Sequence, residues 1–286
     1  MSTILVTGAN GQLGNEMRNR SLLHPEHDFI FTDVEELDIT DARSVSTFVA
    51  GNSIDCIVNC AAYTAVDKAE DDTALCHRLN ALAVQYLAEA AAGAGARMIH
   101  ISTDYVYSGS GSRPYIETDP VQPATVYGQT KLEGEQLLFR ACPQSVVLRT
   151  SWLYSPYGSN FVKTMIRLGG ERESLTVVFD QTGTPTCAAD LAAAVMQIIN
   201  APRFIPGVYN FSDEGVCSWY DFTLAIHRLA GITRCRVEPV ESSQYPARAV
   251  RPFYSVMNKK KIKETYHITI PHWEESLARC IALLNK

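Results

Sequence analysis

Residues 3–14, with the sequence TILVTGANGQLG, decide the fold. A short β-branched apolar segment runs into three glycines spaced three apart, and a helical pattern begins at the second of them. In such a strand-turn-helix unit the first glycine takes the tight turn, and the second lets backbone N–H groups approach a diphosphate. The third lets the helix pack closely on the strand. The stretch predicts a dinucleotide-binding turn whose cofactor contacts are Gly8, Gly11, Gln12, Leu13 and Gly14.

The first half of the chain alternates apolar strand patterns with helical patterns. Strands are predicted at 3–7, 28–32, 55–61, 97–102 and 145–149, with helices at 11–23, 41–50, 74–92 and 127–141 between them. Continuous apolar strands separated by helices are typical of a parallel sheet covered on both faces. The fold class is therefore predicted as α/β, a Rossmann-type doubly wound parallel sheet.

The second half has a looser pattern interrupted by proline. Helices are predicted at 160–168, 187–199 and 219–230, and strands at 175–179 and 207–211. We therefore expect a dinucleotide-binding domain over 1–152 and a smaller α+β lobe over 153–286 that mainly binds substrate, with some of its segments returning to the sheet. Ligands commonly occupy the crevice between two such parts.

Composition excludes several classes of protein. The 286 residues carry 25 Lys+Arg against 31 Asp+Glu, a formal net charge of −6, which disfavours binding to nucleic acid. No apolar run approaches the roughly 18 residues of a membrane span, and no export signal follows Met1. The expectation is a cytoplasmic protein without a membrane partner. The eight cysteines form no C-x-x-C pair, so we expect buried thiols, no disulfide and no metal site.

Acidic residues after the second predicted strand suggest how an adenosine ribose is held. Asp33 stands where a carboxylate binds the ribose 2′-OH, and no Arg or Lys follows within residues 34–36. A 2′-phosphate therefore has no local counter-charge, and NADH should be tolerated as well as NADPH. Asp38 and Ile39 are predicted to close around the adenine.

A Tyr/Lys pair points to proton transfer. Tyr127 and Lys131 are four residues apart, on one face of a predicted helix. An ammonium near a phenol lowers the phenol pKa, and Lys131 could also hold a nicotinamide ribose. Thr103 ends the fourth predicted strand, where the carboxyl ends of the strands line the ligand crevice, so its hydroxyl could meet a substrate carbonyl beside Tyr127.

Taken together, these motifs resemble those of the extended short-chain dehydrogenase/reductase superfamily and, within it, the dTDP-4-dehydrorhamnose reductase family. The resemblance covers nearly the whole chain. It rests on residues 8–14 (GANGQLG), 59–70 (NCAAYTAVDKAE), 102–107 (STDYVY), 127–131 (YGQTK), 149–152 (RTSW) and 180–186 (DQTGTPT).

The resemblance implies an NAD(P)H-dependent reduction of a nucleotide-sugar substrate. Hydride would reach C4 of dTDP-4-dehydro-L-rhamnose to give dTDP-L-rhamnose, a precursor of cell-surface polysaccharide. Tyr127 would protonate the nascent alkoxide, Lys131 would tune that phenol and hold the ribose, and Thr103 would bond the carbonyl. The further implied contacts are Asp104 and Trp152 to the sugar, and Ala62, Tyr63 and Thr64 to the cofactor.

For a few other residues the resemblance implies more than one possible role. Arg251 could contact the diphosphate or brace the lobe, and Asn80 could support the site or lie on a helix surface. Some family members dimerise through Mg²⁺ held by carboxylates, which makes a homodimer and a magnesium ligand at Glu16 further expectations, although a solvated glutamate is the stronger interpretation. The family commonly has Phe where this chain has Tyr107.

Three other functions compete with the reductase. A nucleotide-sugar 4,6-dehydratase typically carries Asp-Glu after the strand-end Thr, whereas here Tyr105 follows Asp104. An epimerase uses the same Tyr/Lys pair with a tightly retained cofactor. A non-catalytic NADP-binding regulatory subunit of the methionine adenosyltransferase type would not need an intact Thr103, Tyr127 and Lys131.

Overall fold

The computed structural model describes residues 2–285. Its strands are β1 Thr3–Thr7, β2 Asp28–Thr32, β3 Cys56–Asn59, β4 Arg97–Thr103, β5 Ser145–Thr150, β6 Leu153–Tyr154, β7 Ser174–Val178, β8 Thr182–Gly183, β9 Thr186–Cys187, β10 Gly207–Asn210, β11 Cys217–Ser218 and β12 Arg236–Val240. Six of them form one parallel sheet in the order β2-β1-β3-β4-β5-β10. The predicted doubly wound α/β class is confirmed.

Helices cover both faces of this sheet and build the rest of the molecule. They are α1 Gln12–Ser21, α2 Ala42–Gly51, α3 Val66–Ala69, α4 Thr73–His77, α5 Ala83–Ala94, α6 Val126–Ala141, α7 Phe161–Glu171, α8 Ala188–Ile199, α9 Trp219–Leu229, α10 Lys260–Tyr266 and α11 Trp273–Leu284. The predicted helix at 74–92 is interrupted, because Arg78–Leu82 forms one π-helical turn between α4 and α5. Such turns often occur at functional sites.

Alternation along the strands divides the core into two layers. In β1, Leu5 packs on one face with α2 and α5, whereas Ile4 and Val6 pack on the other face with α1 and α8. Successive strand side chains point to opposite faces, so an uninterrupted apolar strand must be covered on both sides. This explains why the first-half strands contain almost no exposed residues.

The order of the strands creates a switch point for ligand binding. The chain passes from β1 to β2 on one side, then crosses back so that β3 lies on the other side of β1. Connections that diverge from two adjacent strands leave a crevice at their carboxyl ends, and ligands of such sheets bind there. The glycine turn after β1 and the segment after β3 both open into this crevice.

The second half is only partly separate from the sheet. Strand β10 pairs with β5 in the central sheet, and α8 packs against α1. A third apolar cluster lies away from that sheet, where α7, α9 and α11 pack around β7, which pairs with β12. The division into domains at residue 152 stays a prediction. The short strands and the helices α10 and α11 were not predicted.

Two expectations about the surface and the thiols can be compared with the structure. Among residues 2–285, no helix combines the length and apolar character that crossing a bilayer requires. All eight cysteines are free thiols. The predicted strand at 55–61 ends earlier, at Asn59, so Cys60 belongs to the segment that follows β3.

Candidate active site

The glycine turn after β1 is packed too tightly for side chains. Gly8 has a φ of +66°, and a Cβ there would lie 2.7 Å from the backbone of Ala61; at Gly14 it would lie 2.4 Å from the Gly8 carbonyl oxygen. Helix α1 begins after Gly11, and no side chain caps its first turn. Its free N–H groups face the crevice at the positive end of the helix, which suits a diphosphate.

A cavity of about 490 Å³ opens beside this turn and extends under the end of β2. It is lined by Gly8, Asn10, Gly11, Asp33, Val34, Leu37, Asp38, Ile39, Cys60, Ala61, Ala62 and Leu79. The apolar wall and the convergent backbone N–H groups fit the adenosine diphosphate half of a dinucleotide. Neither lysine nor arginine stands among these lining residues.

The predicted ribose carboxylate has a second task in the structure. Asp33 Oδ2 accepts the backbone N–H of Asn10 at 2.9 Å, so the side chain braces the glycine turn while it lines the cavity. Asp38 accepts from the N–H and the hydroxyl of Thr40, and Ile39 is buried in the wall. The structure brings these three predicted residues to one cavity.

Two predicted contacts in the turn are engaged elsewhere through their side chains. The Leu13 side chain is buried in the core, which leaves its backbone N–H as the group available to a ligand. The Gln12 amide reaches across to the second half, where its oxygen accepts from Ser155 Oγ at 3.1 Å and Asn160 Nδ2 at 3.0 Å. Gln12 therefore ties the N-terminus of α1 to the segment that follows β6.

The segment after β3 is held from the π-helical turn. Asn80 in that turn is buried, and its amide exchanges hydrogen bonds of 2.9 and 3.0 Å with the backbone N–H and carbonyl of Tyr63. It also donates to Thr130 Oγ1 on α6. Asn80 is thus a buried support for residues 62–64 rather than a helix-surface residue.

The predicted hydroxyl, carboxylate and phenol meet where β4 ends. Thr103 Oγ1 donates to Asp104 Oδ1 at 3.0 Å and accepts from the Tyr105 N–H. Tyr127, in the first turn of α6, packs edge-on against Tyr105 with the ring centroids 5.5 Å apart. Thr103 and Asp104 are buried, and the second Asp104 oxygen has no hydrogen-bond partner.

Burial governs the proton equilibria at this point. Burial raises the pKa of the Tyr127 phenol, and the nearby Asp104 carboxyl adds to the rise while the Thr103 hydroxyl opposes it. Burial also raises the pKa of Asp104 to about 6, with the nearby Ser255 and Thr103 hydroxyls working against the shift. Tyr127 is therefore a protonated phenol across the neutral range.

Lys131 lies one turn further along α6 but does not contact the phenol. Its Nζ donates to the Ile101 carbonyl at 2.6 Å and lies 3.2 Å from His100 Nε2. Burial lowers the pKa of Lys131 to about 8. The side chain extends towards β4, and the lowering of the Tyr127 pKa by the Lys131 charge stays a prediction.

The predicted substrate contacts Trp152 and Arg251 flank this cluster. Trp152 has a φ of +47°, an uncommon conformation for a bulky residue, and its indole stacks on Trp219 with the centroids 3.5 Å apart. Gly183 leaves room between that indole and Ser255, which in turn neighbours Asp104. Arg251 donates to Asp67 Oδ2 at 2.6 Å and to the Tyr105 hydroxyl at 3.2 Å.

Comparison with known proteins agrees with the motifs. The family model described as RmlD substrate binding domain matches residues 1–286. A dTDP-4-dehydrorhamnose reductase of Aggregatibacter actinomycetemcomitans is 39% identical over 97% of each chain. The chain belongs to this reductase family.

Solved structures of the family share the fold over nearly every residue. A dTDP-4-dehydrorhamnose reductase of Clostridium acetobutylicum is 42% identical, with a TM-score of 0.95 over 99% of this chain and 100% of that one. The dTDP-4-dehydrorhamnose reductase of Bacillus anthracis, in complex with NADP, is 38% identical, with a TM-score of 0.94 over 99% of both chains. The predicted resemblance to the dTDP-4-dehydrorhamnose reductase family is confirmed.

One departure from the family pattern has a structural role. The Tyr107 hydroxyl accepts from Arg149 Nη1 at 3.0 Å and donates to Asn210 Oδ1 at 2.9 Å, bonds that a Phe could not make. Arg149 in turn makes a buried two-point ion pair with Glu135 on α6. Sequence reasoning missed Glu135, although its position four residues after Lys131 places it on the same helix face.

The expected magnesium ligand at Glu16 has no support in the structure of the single chain. Within residues 2–285, no group of three or more His, Cys, Asp or Glu side chains is arranged to hold a metal ion. Glu16 is buried rather than solvated; Asn19 donates to its carboxylate, and burial raises its pKa. A homodimer stays a prediction.

Proposed function

We propose that the protein reduces the C4 ketone of dTDP-4-dehydro-L-rhamnose to an alcohol with NADPH or NADH, giving dTDP-L-rhamnose for cell-surface polysaccharide. The observation that carries the proposal is the meeting of Thr103, Asp104 and Tyr127 at the carboxyl end of β4, beside a glycine turn that fits a diphosphate. The relatives named as dTDP-4-dehydrorhamnose reductases match over nearly their whole length, which supports the same substrate for this chain.

The bound cofactor supplies the hydride, and the protein supplies the proton and the orientation. Tyr127 donates its phenolic proton to the oxygen that forms on C4. Because burial raises its pKa, the phenol keeps that proton at neutral pH until a far more basic alkoxide appears. Thr103, whose hydroxyl now donates to Asp104, turns that hydrogen to the C4 oxygen.

Neighbouring residues position the sugar. Asp104, with one buried oxygen lacking a partner, accepts from a sugar hydroxyl, and Trp152 covers an apolar face of the ring. Arg251 is bonded to Asp67 and Tyr105 on one side, and its remaining N–H groups can meet the diphosphate of the substrate. The aromatic stack of Trp152 on Trp219 limits the movement of that wall.

The cofactor contacts follow from the cavity. The N–H groups of Gln12 and Leu13 hold the diphosphate, which Gly11 lets approach, Asp33 accepts from the adenosine ribose, and Asp38 and Ile39 border the adenine. Residues 62–64, fixed by Asn80, line the nicotinamide side, and Lys131 holds its ribose. Since the lining has no cation for a 2′-phosphate, NADH is accepted as well as NADPH.

The test is an assay of the purified protein with dTDP-4-dehydro-L-rhamnose and either NADPH or NADH. We expect loss of reduced-nicotinamide absorbance, one molecule oxidised per molecule of dTDP-L-rhamnose formed, identified by mass spectrometry and NMR. Tight cofactor binding without oxidation would overturn the proposal. Interconversion of nucleotide sugars without net oxidation would identify an epimerase, and capture of a methionine adenosyltransferase would identify a regulatory subunit.

A further inference from the structure

A line of buried polar side chains runs from β1 to Lys131 beneath the site. Thr7 Oγ1 donates to Asn59 Oδ1 at 2.7 Å, and Asn59 Nδ2 lies 3.0 Å from His100 Nδ1. His100 Nε2 lies 3.2 Å from Lys131 Nζ. None of these four residues is more than 1% exposed, so in the folded protein their side chains depend on one another for hydrogen bonds. Every proton in the line must therefore have a definite place.

The direction of each hydrogen bond follows from one group that can only donate, the backbone N–H of Ala61. Besides the Thr7 hydroxyl, Asn59 Oδ1 meets the backbone N–H of Ala61 at 3.2 Å, which orients the amide with its oxygen on that side. The Asn59 NH₂ group then points at His100 and donates to Nδ1. A neutral imidazole that accepts at Nδ1 carries its hydrogen on Nε2.

That hydrogen faces Lys131. An ammonium has three N–H groups and no lone pair, so it would set hydrogen against hydrogen at this contact, whereas an amine can accept the Nε2–H and still donate to the Ile101 carbonyl. Burial, followed by the nearby lysine, keeps the pKa of His100 well below its usual range, which agrees with a neutral ring.

The other titratable groups around Lys131 act in different directions. Glu135, one turn further along α6, favours the ammonium, as do the Cys76 thiol on α4 and the Cys60 thiol after β3 to a smaller extent. Burial outweighs all three and lowers the pKa of Lys131. Tyr127, one turn earlier on α6, is an uncharged phenol at neutral pH.

We propose that His100 is a positioning residue that acts through Lys131: its Nε2–H bond favours the amine form of the lysine and keeps the ammonium proton easily lost. The catalytic use of this loosely held proton rests on the proposed reduction. After Tyr127 gives its proton to the C4 oxygen, the phenolate must regain one. Water in the crevice relays a proton from the Lys131 ammonium, one turn further along α6, to the phenolate, and water then reprotonates the amine. A lysine that holds its proton loosely near neutral pH suits this return step.

The first measurement needs no substrate. In cofactor-free protein labelled with ¹⁵N-histidine, we expect His100 to show the Nε2–H tautomer and no titration between about pH 5 and 9. The signal is assigned by its loss in His100→Phe, or by removing the other six of the seven histidines singly if that variant does not fold. An Nδ1–H tautomer or a titrating ring would overturn the proposal.

The second measurement uses the sign of a shift. In ¹³C-lysine-labelled protein, the Lys131 titration midpoint should rise by about one pH unit in His100→Phe, because the opposing N–H is gone. A fall, or no change, would mean that His100 accepts from the ammonium or is only a packing residue, and either result contradicts the proposal. His227→Gln, at a buried histidine bonded to the Met165 carbonyl, is the matched control and should leave the midpoint in place.

Activity supplies a third readout that depends on the proposed function. The high-pH limb of kcat, where Lys131 loses its proton, should move upward in His100→Phe by the same interval as the NMR midpoint. If the dTDP-sugar is not the substrate, this profile fails while both NMR results stand. If the NMR results fail, the His100 proposal falls whatever the substrate is.

Discussion

At the scale of single residues, Tyr127 provides the sharpest expectation. The phenol is half-buried beside Thr103, and burial keeps its proton in place. Tyr127→Phe keeps the edge contact with Tyr105 and removes only the proton donor, so turnover should fall by roughly 100-fold or more. Affinity for NADPH, measured by fluorescence titration, should stay near wild type.

The control for this variant is Tyr86→Phe, which removes a phenol on α5 in the groove between α5 and α2. It should leave turnover unchanged. Unchanged turnover in Tyr127→Phe itself would remove Tyr127 from its proposed role. A parallel loss of cofactor affinity would show that the Tyr127 hydroxyl contributes to cofactor binding rather than to proton transfer.

Asp33 separates cofactor recognition from support of the turn. Asp33→Ala removes both the ribose acceptor and the brace on the Asn10 N–H, so binding of both cofactors should weaken, and NADH should weaken more than NADPH. In Asp33→Asn the amide oxygen can keep the brace while the charge is lost, so NADPH should improve relative to NADH. Dissociation constants for the two cofactors measure this ratio, and an equal loss for both in each variant would contradict the ribose assignment.

At the scale of secondary-structure elements, α6 depends on a buried ion pair for its position. Arg149 on β5 meets Glu135 on α6 through two bonds of 2.6 and 3.0 Å, and Ser102 on β4 donates to the same carboxylate. This cluster fixes the helix that bears Tyr127 and Lys131 against two strands of the sheet. The catalytic geometry therefore depends on a contact two turns from the phenol.

Breaking one half of this pair should be costly. Glu135→Leu leaves the Arg149 guanidinium buried without its carboxylate, so the free energy of unfolding, measured by urea denaturation, should fall by about 3–5 kcal/mol. The double variant Glu135→Leu, Arg149→Met removes both charges and should recover most of that loss. If the double variant is as unstable as the sum of the single ones, the ion pair is not the source of the effect.

The π-helical turn at Arg78–Leu82 is a second element-scale device. One extra residue in the turn changes the direction of the side chains that follow, and Asn80 can then reach both Tyr63 and Thr130. The apolar periodicity predicts a regular helix over 74–92 and gives no sign of the π-helical turn. Periodicity reports which face is buried, and it does not report a local change of helical pitch.

At the scale of the whole molecule, Asp213 joins the sheet to the second half. It follows β10, its Oδ2 accepts the Cys187 N–H at 3.0 Å, and its other oxygen has no hydrogen-bond partner. Burial, with the Asp190 carboxyl adding to it, raises the pKa of Asp213 to about 8. The folded state therefore holds a proton here that the unfolded chain releases near pH 4.

This proton links stability to pH with a defined sign. Between about pH 4 and 8 the native state binds the extra proton, so each pH unit of increase should cost up to about 1.4 kcal/mol from this group. Asp213→Asn keeps a neutral side chain and should remove that part of the slope. Urea denaturation of both proteins from pH 5 to 8 measures it; parallel slopes would mean that Asp213 is ionised in the folded protein.

The sequence by itself determined the parts of this protein that depend on local spacing. Alternating apolar segments and the glycine turn at 8–14 predict the first five strands, their helices and the crevice, because backbone geometry and burial act over a few residues. The pair Tyr127 and Lys131 and the strand-end Thr103 were likewise readable, since helix and strand periods set which side chains share a face. The family resemblance then supplied the substrate.

Only the tertiary structure decided what depends on distant segments. Asn59 and His100 are ordinary polar interruptions of apolar strands in the sequence. They become partners of each other because β3 and β4 pair in register, and His100 then meets Lys131. Strand β10 joins the sheet, and Arg251 meets Asp67 across 184 positions of the chain. Such contacts are set by how whole elements pack, and no local pattern encodes which buried donor will face which buried acceptor.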